Sequence, residues 1–118
     1  MARTIIFLNL LLWISHTMGN LPFSNSHISE VDVVKLHYRL WEPVDGLPQG
    51  NVLMVHGFSG STFSWQQTAD SLSKVGYRAV AVDVPPFGFS DRAPRQNHSV
   101  TARASLLIAF LEQEFPGA

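Results

Sequence analysis

Cysteine is absent from the 118 residues, which removes disulfides, thiolate metal sites and a cysteine nucleophile from consideration. Its absence leaves the compartment open, since a chain without cysteine is compatible with either side of a membrane. Charge is scarce as well. Only 14% of the residues are Asp, Glu, Lys or Arg, against 46% apolar, and the formal net charge is −1. That balance belongs to a chain that folds and buries a core, not to a disordered one. No basic stripe is present, so the electrostatic footprint of a nucleic-acid binder is missing. Internal repeats and low-complexity tracts are missing too. The length suits one small domain or part of a larger one.

Long apolar runs are also lacking. The longest, Ile5 to Ile14, is interrupted by Asn9 and falls short of the roughly 20 residues needed to cross a bilayer as a helix. Arg3 precedes it, and Ser15 to Gly19 turns small and polar. Positive start, short apolar core and small-residue end are the order of a secretory signal, so residues 1–19 are expected to be a signal peptide or an N-terminal anchor. A secreted, periplasmic or membrane-anchored protein follows from that expectation, with residues 5–14 as the membrane-associating element. Without a working leader the chain would be cytoplasmic. Residues 20–29 are polar and turn-rich and are expected to be a linker, leaving 30–118 as the folded part.

What is present reads as alternating strands and helices. From Glu30 to Trp41 apolar Val31, Val33, Leu36, Tyr38 and Leu40 are separated by polar residues, with a slip at Val34-Lys35 where two strands meet or a bulge sits. This predicts half-buried antiparallel structure at a sheet edge, with His37 on the polar phase and facing solvent. Glu42 to Gly50, with Pro43, Gly46 and Pro48, is a loop. Asn51 to Val55 is a short apolar run of the kind buried on both faces of a parallel sheet. Helix-start residues follow at Ser59 to Thr62. Trp65, Ala69, Leu72 and Val75 then share one helical face, and Gly76 supplies the stop. Tyr77 to Val84 is a second buried strand. Ser99 can cap a helix over Val100 to Phe115 whose apolar face is Val100, Ala104, Leu107, Ile108, Leu111 and Phe115, with Arg103 and Glu112 to the side. The fold class is therefore α/β: an antiparallel hairpin, then a parallel β-α-β-α unit. Ending on a helix leaves the strand it should deliver unaccounted for, so an incomplete domain is expected.

Three stretches, in order, carry a resemblance. His56-Gly57-Phe58 with Gly60 and Trp65, the joint Gly76-Tyr77-Arg78 to Asp83, and the loop Asp83-Val84-Pro85-Pro86-Phe87-Gly88-Phe89-Ser90-Asp91 together resemble the N-terminal half of the α/β-hydrolase fold superfamily. The resemblance implies hydrolysis of an ester, epoxide or carbon–carbon bond of a small-molecule substrate in the complete protein. It also implies that the Phe58 N–H is one of two oxyanion-hole donors, with His56 and Gly57 shaping that loop and Asp83, Gly88 and Ser90 shaping the second. Such donors stabilise charge developing on a substrate oxygen, and each is worth about 2.7–4 kcal/mol of barrier. Pro86 stands where glycine is usual and has no N–H to donate.

No residue of the chain sits in a G-x-S-x-G elbow, and in this fold the nucleophile, acid and base come later in the sequence. The chain alone is thus expected to be a catalytically inactive fragment. The alternative is a non-catalytic protein of the same fold, or a truncated product acting, if at all, as a binding module. No cofactor and no metal are implied, since this chemistry uses side chains and backbone dipoles.

Overall fold

A computed structural model describes residues 21–92 and 96–117. The expected leader, residues 1–19, lies outside them. Strand β1 (Ser26–Val31) and strand β2 (Val34–Trp41) form an antiparallel hairpin in which Val31 faces Val34. The two residues between them, Asp32 and Val33, have φ of 48° and 60°. A two-residue turn of this left-handed kind matches the twist of paired strands. The slip at Val34-Lys35 is therefore a strand junction, not a bulge.

The linker expected over residues 20–29 is corrected at its end, because Ser26 to Ser29 belong to β1. These residues carry no alternating apolar pattern. The ladder to β2 holds them, together with side-chain bonds such as Ser29 Oγ to Glu114 Oε1 at 2.6 Å.

Strand β3 (Asn51–Val55) runs parallel to strand β4 (Arg78–Val82), and the sheet order is β1-β2-β4-β3. The crossover between β3 and β4 is a single 3-10 turn at Thr62–Trp65, opened by the Ser61 hydroxyl accepting from Phe63 N–H, followed by helix α1 (Gln66–Lys74). It ends at Gly76, φ 97°, where Tyr77 N–H reaches Leu72 O and Gly76 N–H reaches Ser73 O. That pairing is a Schellman stop, and it needs the left-handed residue that glycine supplies. Val75 lies past the last turn and is exposed rather than on the buried face.

Helix α2 (Val100–Glu114) is capped by Ser99, whose hydroxyl accepts from Ala102 N–H. It covers one face of the sheet, where Leu106 and Phe110 pack on Val31, Leu36, Tyr38, Val80 and Val82. Helix α1 covers the other face, with Ala69 against Met54, Ala79 and Ala81. The antiparallel hairpin lies at the sheet edge as expected, with β1 outermost and β2 between β1 and β4, but β2 is buried on both phases from Leu36 to Arg39 rather than half-buried.

The face predicted for α2 is corrected too. Val100 and Ile108 are 84% and 56% exposed, and Ala104 is exposed, while Leu107, Leu111 and Phe115 are half-buried at the margin of the core. The helix carries apolar residues on two sides, and periodicity alone could not say which side meets the sheet.

Candidate functional site

Strand β3 delivers the chain to His56 at its carboxyl end, the end at which sheets of this type present their ligand sites. The His56 ring is buried and spans the two turns. Its Nε2 accepts from Val84 N–H at 2.9 Å, which leaves Nδ1 to donate to Gly57 O at 2.7 Å. A ring fixed at both nitrogens is a brace and has no free nitrogen with which to take a proton from substrate. Gly60 N–H closes the turn on Gly57 O at 3.0 Å.

Gly57 itself is not crowded, since a Cβ there would meet nothing within 4 Å. The space in front of it is open. Phe58 follows with its side chain 88% exposed and its ring edge-on to Phe87 at 5.3 Å. The Phe58 N–H makes no hydrogen bond to any described residue.

The second turn is built around Asp83, which is fully buried. Its Oδ1 accepts from Thr62 N–H at 2.8 Å, and its Oδ2 accepts from Phe89 N–H at 2.9 Å and pairs with His37 Nδ1 at 2.7 Å. Burial pushes the carboxyl group's pKa up, but the bonds from His37, Phe89 and Thr62 outweigh it and hold the group below the usual carboxylate range. Gly88, φ 59°, lies so tightly over this carboxylate that a Cβ would fall 2.2 Å from Asp83 Cγ. Ser90 Oγ donates to Asp83 O at 2.6 Å and accepts from His37 N–H at 2.8 Å. Asp91 finishes the turn by exchanging bonds with the backbone of Lys35. Pro86 takes part only through its carbonyl, which accepts from Arg92 Nη1. One carboxylate thus ties β2, the segment after β3 and the turn after β4 together. Together with the His56 brace it fixes the segment that carries Phe58 at both ends.

His37, expected to face solvent, is fully buried. Its Nε2 lies 2.7 Å from Ser26 Oγ and its Nδ1 2.7 Å from Asp83 Oδ2, a serine–histidine–aspartate chain in outline. The resemblance to a catalytic triad stops at that outline. Ser26 is buried, its hydroxyl accepts from Phe23 N–H, and the rings of Phe23 and Phe89 lie against His37. No substrate carbonyl could reach it, so the chain of bonds is a structural clamp. Periodicity misses it because the partners are 46 residues apart and the alternation along the strand predicts a half-exposed face. A histidine and an arginine on the polar phase of a strand buried on both faces must find partners, and Asp83 is the acid at the end of the neighbouring strand. The expected site residues around Asp83 and His56 do come together, joined through Asp83-Val84.

Between the Phe58 loop and the first turns of α2 lies a cavity of about 300 Å³ lined by Val55, Phe58, Val84, Phe87, Arg103 and Leu107 among others. Arg103, which the helical pattern placed to the side, is the cation in its wall. No cluster of three or more metal-ligating side chains occurs among the described residues.

The chain belongs to the α/β-hydrolase fold family, whose model matches residues 50–116. It is 38% identical over 80 residues to Protein ABHD14A of Rattus norvegicus, covering 65% of this chain and 32% of that protein. Among solved structures it is similar to the epoxide hydrolase VrEH1 of Vigna radiata, with 28% identity, a TM-score of 0.65, and coverage of 75% of this chain and 28% of that one. A bacterial membrane phospholipase A matches with 25% identity and a TM-score of 0.64 over 94% of this chain and 40% of its own. The chain thus spans about a third of the length of the ABHD14A relative. Its four-stranded mixed sheet with flanking helices is part of the α/β-hydrolase domain. No helix among the described residues is long and apolar enough to cross a membrane.

Proposed function

We propose that the chain forms one wall of a hydrolase active site and contributes the Phe58 N–H as an oxyanion donor. The observation that carries this reading is the free Phe58 N–H, presented at the carboxyl end of β3 by a loop that His56 and Asp83 fix to the neighbouring turn. A preorganised donor needs no rearrangement as charge develops on the substrate oxygen, which is how such donors lower a barrier. The substrate is a small molecule with an ester, epoxide or carbon–carbon bond to be hydrolysed. Two of the similar structures, an epoxide hydrolase and a phospholipase, illustrate that range. The nucleophile, the acid and the base lie outside these 118 residues, so the chain by itself does not turn over. Residues 1–19 act as a secretory leader or anchor, which fractionation of cells expressing the tagged chain tests directly.

Reading the transcript past the codon for Ala118 tests the hydrolase proposal first. A G-x-S-x-G elbow, or an aspartate in the same place, is expected. In a protein so extended, Phe58→Pro removes the N–H and should lower kcat on a short p-nitrophenyl ester by about 100- to 1,000-fold. Turnover at the parent rate would remove Phe58 from the site. A non-catalytic protein of the same fold would show no turnover in the extended protein either.

A further inference from the structure

We propose that Asn97 is the acceptor for an N-linked oligosaccharide, added as the chain enters the secretory pathway. The proposal rests on residues 1–19 acting as a leader. Asn97-His98-Ser99 has a serine two residues after the asparagine and no proline between them. No other asparagine in the sequence has a serine or threonine at that spacing.

The structure gives a sugar room at this position. Asn97 and Ser99 are both exposed, on the segment that leads into α2. Asn97 Oδ1 accepts from Ser99 N–H at 2.9 Å, a turn that brings the side-chain amide back onto the residue two positions on. Asn97 Nδ2 makes no hydrogen bond to any described residue. A sugar can therefore replace one of its hydrogens with the turn intact. Asn25 is the contrast: its Oδ1 accepts from Arg39 Nε and its Nδ2 donates to Leu40 O, so the fold occupies both ends of that amide. Asn97 borders the recess between the β1–β2 turn and α2, with Asp32 and Val33. Arg103 and Leu107, on another side of the same helix, line the cavity beside the Phe58 loop. A glycan on Asn97 thus leaves the Phe58 loop uncovered.

Ser99 serves twice. In the folded chain its hydroxyl accepts from Ala102 N–H and caps α2, so the transferase meets that hydroxyl before the helix is capped. In the transfer, Asn97 Nδ2 attacks the anomeric carbon of a lipid-linked oligosaccharyl diphosphate. The N–C bond forms, the C–O bond to the diphosphate breaks, and the lipid diphosphate leaves with that electron pair. One Nδ2 proton passes to a base of the transferase, and nothing is oxidised or reduced.

The test is translation of the tagged 118-residue chain with mammalian microsomes, read by gel mobility, endoglycosidase treatment and protease protection. The parent is expected to be protease-protected and to lose the mobility shift of one oligosaccharide on endoglycosidase treatment. Asn97→Gln should abolish the shift, and so should Ser99→Gly, which keeps a competent helix cap. Ser99→Thr should retain it. A protected chain with no shift, or a shift that survives Asn97→Gln, overturns the proposal and leaves the leader standing. If the chain is unprotected, residues 1–19 are replaced by a proven signal peptide. A shift in that chimera overturns the leader, and with it modification of the native chain, while Asn97 keeps its competence as an acceptor. No shift in the chimera overturns the acceptor itself.

Discussion

Asp83 shows how a single residue can set the geometry of a site it does not line. A buried carboxylate is costly unless donors converge on it, and here two backbone N–H groups and the His37 ring do so. Asp83→Asn is therefore expected to destabilise the chain by about 3–5 kcal/mol at pH 7, read from urea midpoints. Because the folded pKa of Asp83 is depressed, its contribution is present above the unfolded value of about 3.9 and is lost as pH falls through the folded one. The gap between parent and Asp83→Asn midpoints should thus narrow as pH drops below about 4. A gap that stays constant down to acid pH would show that charge is not what Asp83 contributes. Gly88→Ala attacks the same contact from the other side, since its Cβ would overlap the Asp83 carboxylate at a φ of 59°. It should cost more than the roughly 1–2 kcal/mol of an ordinary left-handed alanine, measured in the same denaturation series.

At the scale of elements, the turn between β1 and β2 and the seating of α2 are the informative features. Val33 is a β-branched residue at φ 60° with its side chain 88% exposed. It stabilises nothing by burial and strains the backbone, so Val33→Gly should raise the unfolding midpoint by the equivalent of about 1 kcal/mol. Helix α2 makes a paired prediction. Phe110 is fully buried against Tyr38 and the β4 valines, and Phe110→Ala should cost about 3–5 kcal/mol. Ile108, two residues away and 56% exposed, should change stability by no more than about 0.5 kcal/mol when truncated to alanine. The sequence pattern would have ranked these two the other way round, because it placed Ile108 on the buried stripe and left Phe110 out.

In the whole molecule, β3 has β4 as its one strand neighbour among the described residues. Beside that open edge, Ile108 and Leu111 of α2 line a recess with Leu53 and Asn51. An unpaired edge next to exposed apolar side chains is a pairing surface. The isolated chain is expected to self-associate as its concentration rises in size-exclusion chromatography with light scattering. Ile108→Glu should shift it towards monomer without lowering the urea midpoint. Elution as a monomer at every concentration would show that this edge is not adhesive.

Much of this architecture is legible in the order of the amino acids. Asn51 to Val55 and the run into Asp83 announce buried strands, and Gly76 marks the end of α1, because strand, helix and stop are local patterns of period and backbone freedom. The loops at His56-Gly57-Phe58 and Asp83 to Asp91 were legible for the same reason, as turns following strands. The sequence by itself determined that order, the α/β class and the place of the two turns. Only the tertiary structure decided which polar residues go inside. His37 is buried because β2 lies between two strands and the rings of Phe23 and Phe89 close over it, and Arg103 reaches the Phe58 cavity because α2 seats on Phe110 rather than Ile108. Those outcomes depend on strand order and on which face of a two-sided helix is covered. Neither is a local property of the chain.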